Sequence, residues 1–449
     1  MILNLSHIVE AIGGTLSGDE SARWSGAEID TRRDVRDKVF FALQGEQTDG
    51  HAFIDKAIEG GCVAIVVSKN VTASVPVIQV ENPRRALFLL AQFVRAKLDI
   101  RSTIAITGSV GKTTTKNILS SLLGSGTMAS PASFNNDLGI PLTLLSAVGS
   151  TNLVVEVGAN ACGEIEPLAK LVAPDIAVIT SIQKAHLEGF GSVDAILNEK
   201  MKLFESLQTD GIAIIPSDVD FDETNIPGQL LRVGESNDAD IRVLTCCDEH
   251  GYAKLDIGEG FVTLRMLGKH NAMNAALAIV AARFAFQRQG EEYSLHELLK
   301  RVSLFEGTAG RLLKEEFNGI TIIDDAYNAN PASMNAAIEM FSRMKAPRKI
   351  LVLGDMLELG DQSDVEHRRI GGLVAKQSFD KVILVGNAMA SAAKVLLEAI
   401  HEEKICDQTM RRIAHSFDDG DVVLLKGSRG LKLERIVESL RDKVKVSSL

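Results

Sequence analysis

The sequence predicts an α/β protein of three domains: a small α/β N-terminal domain, a central doubly wound, mainly parallel sheet with a phosphate loop, and a C-terminal Rossmann-like domain. Three observations carry this. A chain of 449 residues exceeds what one hydrophobic core supports. Short apolar runs of buried-strand type alternate with helix-patterned segments, as in a parallel sheet with helices on its faces. That alternation starts afresh after "EGTAGRLLKEEFNG", which places the domains at 1–82, 83–312 and 313–449.

In the first block, "KVFFAL" and "CVAIVVS" read as strands and "HAFIDKAIEGG" as a helix. At "NPRRALFLLAQFVRAKL", Asn82 can cap a helix with Pro83 in its first position, and Ala86, Leu87, Leu90, Ala91 and Val94 fall on one face. The central block contains the strands "STIAIT", "TNLVVEV", "DIAVITSI" and "GIAIIP". The last block contains "ITIIDDAYNANPASMNAAIEMF", "KILVLGDM", "KVILVGNAM" and "DVVLLKGSRGLKLERIVESL". Open parallel sheets bind ligands beyond the carboxyl ends of their strands, so the turns after these strands are where functional residues belong.

Composition narrows the function classes. With 45% hydrophobic and 24% charged residues the chain is an ordinary globular protein. Its formal charge of −11 gives no broad basic field, which argues against a nucleic-acid binder. Cys62, Cys162, Cys246, Cys247 and Cys406 form no CxxC pair and no zinc-like spacing with histidine, so reduced thiols in the cytoplasm are expected. The start "MILNLSHIVEAIGG" does not read as a signal peptide, and no stretch approaches the roughly 20 apolar residues of a membrane span.

The most informative stretch is "RSTIAITGSVGKTTTKNILSSLLG". Ile104 and Ile106 end a strand, with Ile106 expected as its last residue, and Thr115, Ile118, Leu119, Leu122 and Leu123 share one face of the following helix. Gly108 and Gly111 let backbone amides turn inward around an anion, together with Ser109 and Val110, and the helix amino terminus adds partial positive charge. Lys112 would reach the outer phosphates, and Thr113, followed by Thr114, offers a hydroxyl to magnesium. The full pattern wants a glycine five places before Gly111, where this chain has Ile106, so the loop is shortened.

Other strand ends add candidates. Glu156 closes an apolar strand, where phosphate-loop folds hold a carboxylate near the metal; the alternative is a solvated strand end. His186 lies in the loop after "DIAVITSI" and Lys200 in the helix beyond it; each alone is more often structural or solvated. His270 and Asn271 open an alanine-rich helix, where Asn271 would either bond an adenine edge or cap that helix. Arg311 stands at the junction of the second and third blocks. Asp325, Asn328 and Asn330 precede a helix with Pro331 at its first position, so part of their role is capping. Lys426 and Arg429 put two cations beside a glycine turn, suited to a carboxylate or phosphate.

Together, "TGSVGKTTT", Glu156, "HLEGFGS", "NEKMKLF", "GKHNAMNAALA", "GRL" and "DDAYNANPAS" resemble the Mur ligase family over essentially the whole chain. That family joins amino acids to a UDP-muramoyl peptide with ATP, and it has the shortened loop. "SFNNDLGIPLTLL", "LGDMLELG" and "KGSRG" are most similar to its branch that adds D-alanyl-D-alanine to UDP-muramoyl-tripeptide. The resemblance implies ATP at Gly108 to Thr114, one magnesium at Thr113 and Glu156, and a second at His186 and Lys200, the latter carbamylated. It also implies adenine at Asn271, phosphate at Arg311, and a third domain closing through Asp325, Asn328 and Asn330. Thr31, Arg32 and the turn "GEQTDGHAF" would take the UDP-sugar end of the donor, and Asn135 and Asn136 its peptide.

Two departures stand out in "EVGANACGEI": Val157 replaces a methionine and Ala161 a histidine usual in this branch, which puts that histidine's role in doubt here. Hinges at "NPRRA" and "AGRL" would let closure exclude water, and a monomer without membrane insertion is expected. Two other readings remain: a sibling or folylpolyglutamate-type ligase with another acceptor, and, from a different class, a nucleotide-dependent switch. Against the switch, the chain lacks an NKxD-type guanine-reading motif.

Overall fold

The computed structural model describes residues 4–45, 48–184 and 187–447. From the amino end come α1 (Leu5–Ile12), β1 (Thr15–Ser17), β2 (Ala27–Glu28), β3 (Val39–Phe41), α2 (Ile54–Glu59), β4 (Ala64–Val67) and β5 (Val77–Gln79). These strands form a five-stranded sheet of order β1-β5-β4-β3-β2, parallel except for β1. Then α3 (Pro83–Arg95) begins where the Asn82 side chain accepts the Arg84 and Arg85 amides at 3.0 and 3.1 Å, with Pro83 in the first turn. Its Ala86, Leu87, Leu90, Ala91 and Val94 are all buried, as the spacing requires. They share one core with the first sheet and one face of the next.

The central unit contains β6 (Ser102–Thr107), α4 (Lys112–Leu123), β7 (Thr127–Ala129), α5 (Gly139–Leu145), β8 (Asn152–Glu156), α6 (Ile165–Val172) and β9 (Ile176–Ile179). It continues with α7 (Leu187–Phe190), α8 (Val193–Glu205), β10 (Ile212–Pro216), β11 (Gln229–Gly234) and β12 (Ile241–Arg242). All seven strands pair in parallel, in the order β12-β11-β10-β9-β6-β8-β7. The chain leaves β6 to one side for β7 and β8, then crosses to β9. The crevice beyond β6 is therefore a topological switch point.

Next come β13 (Leu244–Cys247), β14 (Tyr252–Asp256) and β15 (Val262–Leu267), a small antiparallel sheet that the sequence reading did not anticipate. β14 alternates buried apolar with polar or charged residues, as in "YAKLD", and all three strands lack the continuous apolar run of the parallel strands. They lean on α9 (Lys269–Arg288), which with α4 and α10 (Leu295–Ser303) builds the second core of the central sheet.

The last unit comprises β16 (Leu313–Phe317), β17 (Ile320–Asp325), α11 (Pro331–Arg343), β18 (Arg348–Gly354), α12 (Ser363–Val374), β19 (Lys381–Val385), α13 (Ala390–Ala393), β20 (Ile400–Glu402), α14 (Asp407–Ala414), β21 (Asp421–Lys426) and α15 (Glu434–Ser447). Its sheet, ordered β16-β17-β21-β18-β19-β20, is parallel apart from the β16–β17 hairpin and carries a core on each face.

Candidate active site

The loop between β6 and α4 fills the switch point. β6 runs one residue past Ile106, to Thr107, because the Thr107 carbonyl is held by the Thr180 amide at 2.9 Å. Gly108 and Gly111 both have positive φ, at 149° and 93°. A Cβ on Gly108 would sit 2.0 Å from Thr180 Oγ1, and one on Gly111 would sit 2.4 Å from Asn274 Oδ1, so both positions require glycine. The segment after β9 stitches the loop in place. Thr180 Oγ1 donates to the Val110 carbonyl at 2.6 Å, the Val110 amide donates to Ser181 Oγ at 3.0 Å, and Ser109 Oγ donates to the Gln183 carbonyl at 2.9 Å.

At the mouth of α4, Lys112 Nζ donates to the Gly108 carbonyl at 2.7 Å. Burial pushes its pKa down; Glu156 opposes this and Arg311 adds to it. Thr113 Oγ1 donates to Glu156 Oε2 at 2.8 Å, and Asn135 Nδ2 donates to Glu156 Oε1 at 2.9 Å. Glu156 is only 1% exposed. A buried carboxylate tied to a threonine hydroxyl beside an anion-shaped loop is not a solvated strand end. The carboxylate and the threonine hydroxyl are hard oxygens of the kind that would suit magnesium. Among the described residues no group of three or more His, Cys, Asp or Glu gathers to hold a metal.

One turn beyond Lys112, Lys116 is buried and its Nζ donates to the carbonyls of Ser130 and Ala132 at 2.6 and 2.5 Å. It fixes the 130–136 segment, where Ala132 has φ 45° and Ser130 Oγ accepts the Glu156 amide at 3.1 Å. Asn136 is exposed and caps the start of α5, accepting the Gly139 amide at 2.9 Å. Asn135 therefore faces the carboxylate, whereas Asn136 braces the backbone.

Lys200 lies buried on α8. Burial, and next the Lys112 charge, lower its pKa to about 7, with Glu199 opposing. Glu199 itself caps α6, accepting the Gly163 and Ile165 amides at 2.8 and 2.7 Å. His186 lies outside the described residues.

A cavity of about 1360 Å³ joins the central and C-terminal units. Ser109 to Thr114, Glu156, Asn135 and Asn136 line its central side. Asn271 lines it too, but it does not cap α9: Gly268 is the cap residue, and Asn271 Nδ2 donates to the Leu267 carbonyl at 2.8 Å while its Oδ1 accepts Asn274 Nδ2 at 2.9 Å. His270, also in the wall, has its pKa lowered by burial. Arg311 Nη2 reaches Thr113 Oγ1 at 3.4 Å, and its guanidinium stands 4.3 Å from the Tyr327 ring centre.

On the C-terminal side, Asp325 pairs with buried Lys426 at 2.6 Å, and Lys426 also donates to the Asn328 carbonyl at 3.2 Å. Lys426 is thus a satisfied structural cation rather than a free one. Asn330 caps α11 through the Ser333 amide at 2.8 Å, while exposed Asn328 accepts the Ala329 amide at 2.8 Å. Arg429 faces the cavity with a partial ion pair to Glu434 at 3.3 Å.

Thr31, Arg32 and Lys200 are not among the residues that line this cavity. Arg32 is exposed and ion-paired with Asp30 at 2.7 Å. The adjacent Arg33 guanidinium covers the Phe134 ring at 4.2 Å, linking this turn to the segment carrying Asn135. Of the turn "GEQTDGHAF", residues 46 and 47 lie outside the described ones. Sequence reasoning missed Lys116, Ser133, Thr180, Asn274 and Tyr327. Only Asn274 left a trace, as a second asparagine three residues after Asn271 in an alanine-rich helix.

Comparison with known proteins is consistent along the chain. Residues 25–95 match the Mur ligase family catalytic domain, 106–282 the Mur ligase middle domain, and 310–429 the Mur ligase glutamate ligase domain. A UDP-N-acetylmuramoyl-tripeptide–D-alanyl-D-alanine ligase of Bacillus subtilis is 34% identical over 97% of this chain and 98% of its own. The protein of that name in Haemophilus influenzae is 34% identical over 99% of each. Among solved structures, MurF from Acinetobacter baumannii is similar with a TM-score of 0.85 at 29% identity, covering 98% of this chain and 99% of that one. MurF ligase from Thermotoga maritima in complex with ADP gives 0.78 at 26% identity, over 94% and 98%. With three family segments laid along it and relatives above 30% identity across nearly its full length, the chain belongs to the Mur ligase family.

Proposed function

We propose that the protein is the ATP-dependent ligase that adds D-alanyl-D-alanine to UDP-N-acetylmuramoyl-tripeptide, giving the pentapeptide precursor of peptidoglycan, ADP and phosphate. The observation that carries this reading is the Thr113–Glu156–Asn135 chain, which links the phosphate loop to a second loop facing the same cavity. Such a site can act on a nucleotide and a carboxylate at once. The curated relatives of this name support the choice of substrates, and the ADP complex of the Thermotoga maritima protein supports ATP as the nucleotide.

The chemistry follows from the poor leaving ability of carboxylate oxygen. The tripeptide's terminal carboxylate attacks the γ-phosphorus of ATP, the bond to ADP breaks, and an acyl phosphate forms. The dipeptide's neutral amine then attacks the carbonyl carbon, a proton is lost, and phosphate leaves from the tetrahedral intermediate. Gly108 to Thr114 cradle the phosphates, and Lys112 leaves the Gly108 carbonyl to meet them. Arg311 adds a cation where charge develops on the phosphoryl group. Thr113 and Glu156 would hold a magnesium that neutralises phosphate charge, and carbamylated Lys200 with His186 a second. Asn271 meets the adenine; Thr31 and Arg32 take the UDP-sugar end, and Asn135 and Asn136 the peptide. Asp325, Asn328 and Asn330 close the acceptor side as the third domain, 313–449, folds over the second, 83–312.

The catalyst is taken as a monomer in the cytoplasm. Its five cysteines are all unpaired, in keeping with a reducing compartment, and no helix among the described residues is long and apolar enough to cross a membrane. An ADP-release assay with lysine- and diaminopimelate-containing UDP-muramoyl tripeptides, with and without D-alanyl-D-alanine, tests the reading. Release that requires the dipeptide is expected. Release driven by a single amino acid, or none with the dipeptide, overturns it.

A further inference from the structure

Five contacts close into a ring around the phosphate end of the cavity. Thr113 bonds Glu156, and Glu156 bonds Asn135. Two residues before Asn135, Ser133 Oγ shares a hydrogen bond with the Tyr327 hydroxyl, from 194 residues away. The Tyr327 ring lies 4.3 Å under the Arg311 guanidinium, and Arg311 returns to Thr113 at 3.4 Å. Arg311 Nε is buried without a hydrogen-bond partner, so the ring face is a main support of that cation. Only Tyr327 in this ring comes from the C-terminal sheet, in the turn after β17, where its amide also donates to the Gly310 carbonyl at 3.2 Å.

We propose that Tyr327 is a positioning residue that ties the acceptor-side turn to both halves of the phosphate site: its hydroxyl holds the 130–136 loop through Ser133, and its ring holds Arg311 at Thr113. Docking of the C-terminal sheet then sets Asn135 and Arg311 together, so the arrangement that phosphorylates the donor forms only when the acceptor wall is in place. Loosening the tie lets water into the amine's position. Water oxygen bonds to the acyl carbonyl carbon, the carbon–oxygen bond to phosphate breaks, and tripeptide carboxylate, phosphate and a proton are released. ADP is then made without ligated product. The kinetic part rests on the ligase reading above; the contact itself does not.

The test combines amide hydrogen exchange on the ligand-free chain with steady-state turnover, in wild type, Tyr327→Phe, Ser133→Ala and the double variant. Each single change removes one oxygen atom from a contact worth about a five-fold shift in local opening. Exchange at the Phe134 and Gly158 amides, bonded to the Pro131 and Asn135 carbonyls, is expected to quicken about five-fold in either single variant and no further in the double. In turnover, Tyr327→Phe is expected to raise ADP formed per peptide product at least three-fold with the KM for ATP within two-fold of wild type. Tyr327→Leu, which also removes the ring, is expected to raise the KM for ATP about ten-fold. Exchange in Tyr327→Phe equal to wild type, or additive effects in the double variant, overturns the proposal. If wild type releases no ADP with donor and dipeptide, the ligase reading fails, and the exchange data still decide the tie. Should Tyr327→Leu not fold, the two single-atom variants carry the decision.

Discussion

Thr113 Oγ1 and Glu156 Oε2 lie 2.8 Å apart, joining the first turn of α4 to the end of β8 across the switch point of the central sheet. The bond needs the carboxylate's oxygen, whereas a cation site needs its charge. Glu156→Gln keeps the shape and an accepting oxygen but removes that charge. Calorimetric titration of ADP with and without magnesium is expected to show the metal's contribution largely lost in the variant, with kcat down about 100-fold. An unchanged magnesium dependence would remove Glu156 from the metal site.

Lys200 is predicted to carry a carbamate. Carbamylation needs a neutral amine, and burial with the nearby Lys112 charge brings the group to about 7, so much of it is neutral at physiological pH. Lys200→Ala is expected to abolish ligation while ADP still binds. Wild type given carbon-13 bicarbonate should show a carbamate resonance that the variant lacks; an active variant rules the role out.

The parallel strands and the phosphate loop were legible because their signals are local. A continuous apolar run, a glycine pair with positive φ and a Lys-Thr helix start are each written in adjacent residues. Glu156 was legible as the last residue of such a strand. What could not be read depends on distant chain segments meeting. Lys116 looks like a solvated helix lysine until Ser130 and Ala132 turn their carbonyls toward it, and Tyr327 looks like a turn tyrosine until Ser133 arrives. Asn271 had two local readings, and the geometry removed one of them because Gly268 already occupies the cap. The β13–β15 sheet was missed because half-exposed alternating strands carry a weaker pattern than buried ones.

Lys116→Met is predicted to weaken the whole 130–136 segment. Methionine keeps the chain length, but the Ser130 and Ala132 carbonyls lose their donor. Relief from burying a cation offsets part of that loss, since burial already lowers the Lys116 pKa. A net loss of about 2 kcal/mol is expected, read as a lower urea midpoint. A midpoint equal to wild type would show that the buried tie contributes nothing.

Asp324 gives the protein a pH dependence opposite to that of an ion-paired carboxylate. It is 8% exposed, and burial raises its pKa to about 6; the Ala326 amide opposes this, while Asp325, Glu315 and Glu434 add to it. Because the folded pKa lies above the ordinary aspartate value of 3.8, the folded state binds more protons than the unfolded between about pH 4 and 6. Stability from this group therefore falls as pH rises through that window and stays low above it. Asparagine keeps an oxygen for the Ala326 amide, which donates to Oδ1 at 3.0 Å, and cannot ionise. Asp324→Asn is thus expected to stabilise the protein by on the order of 1–3 kcal/mol at pH 8 and by little at pH 4. Denaturant midpoints at pH 4, 6 and 8 measure this. A variant no more stable than wild type at pH 8 would mean that the buried carboxylate is stabilised by its amide contact more than burial opposes it.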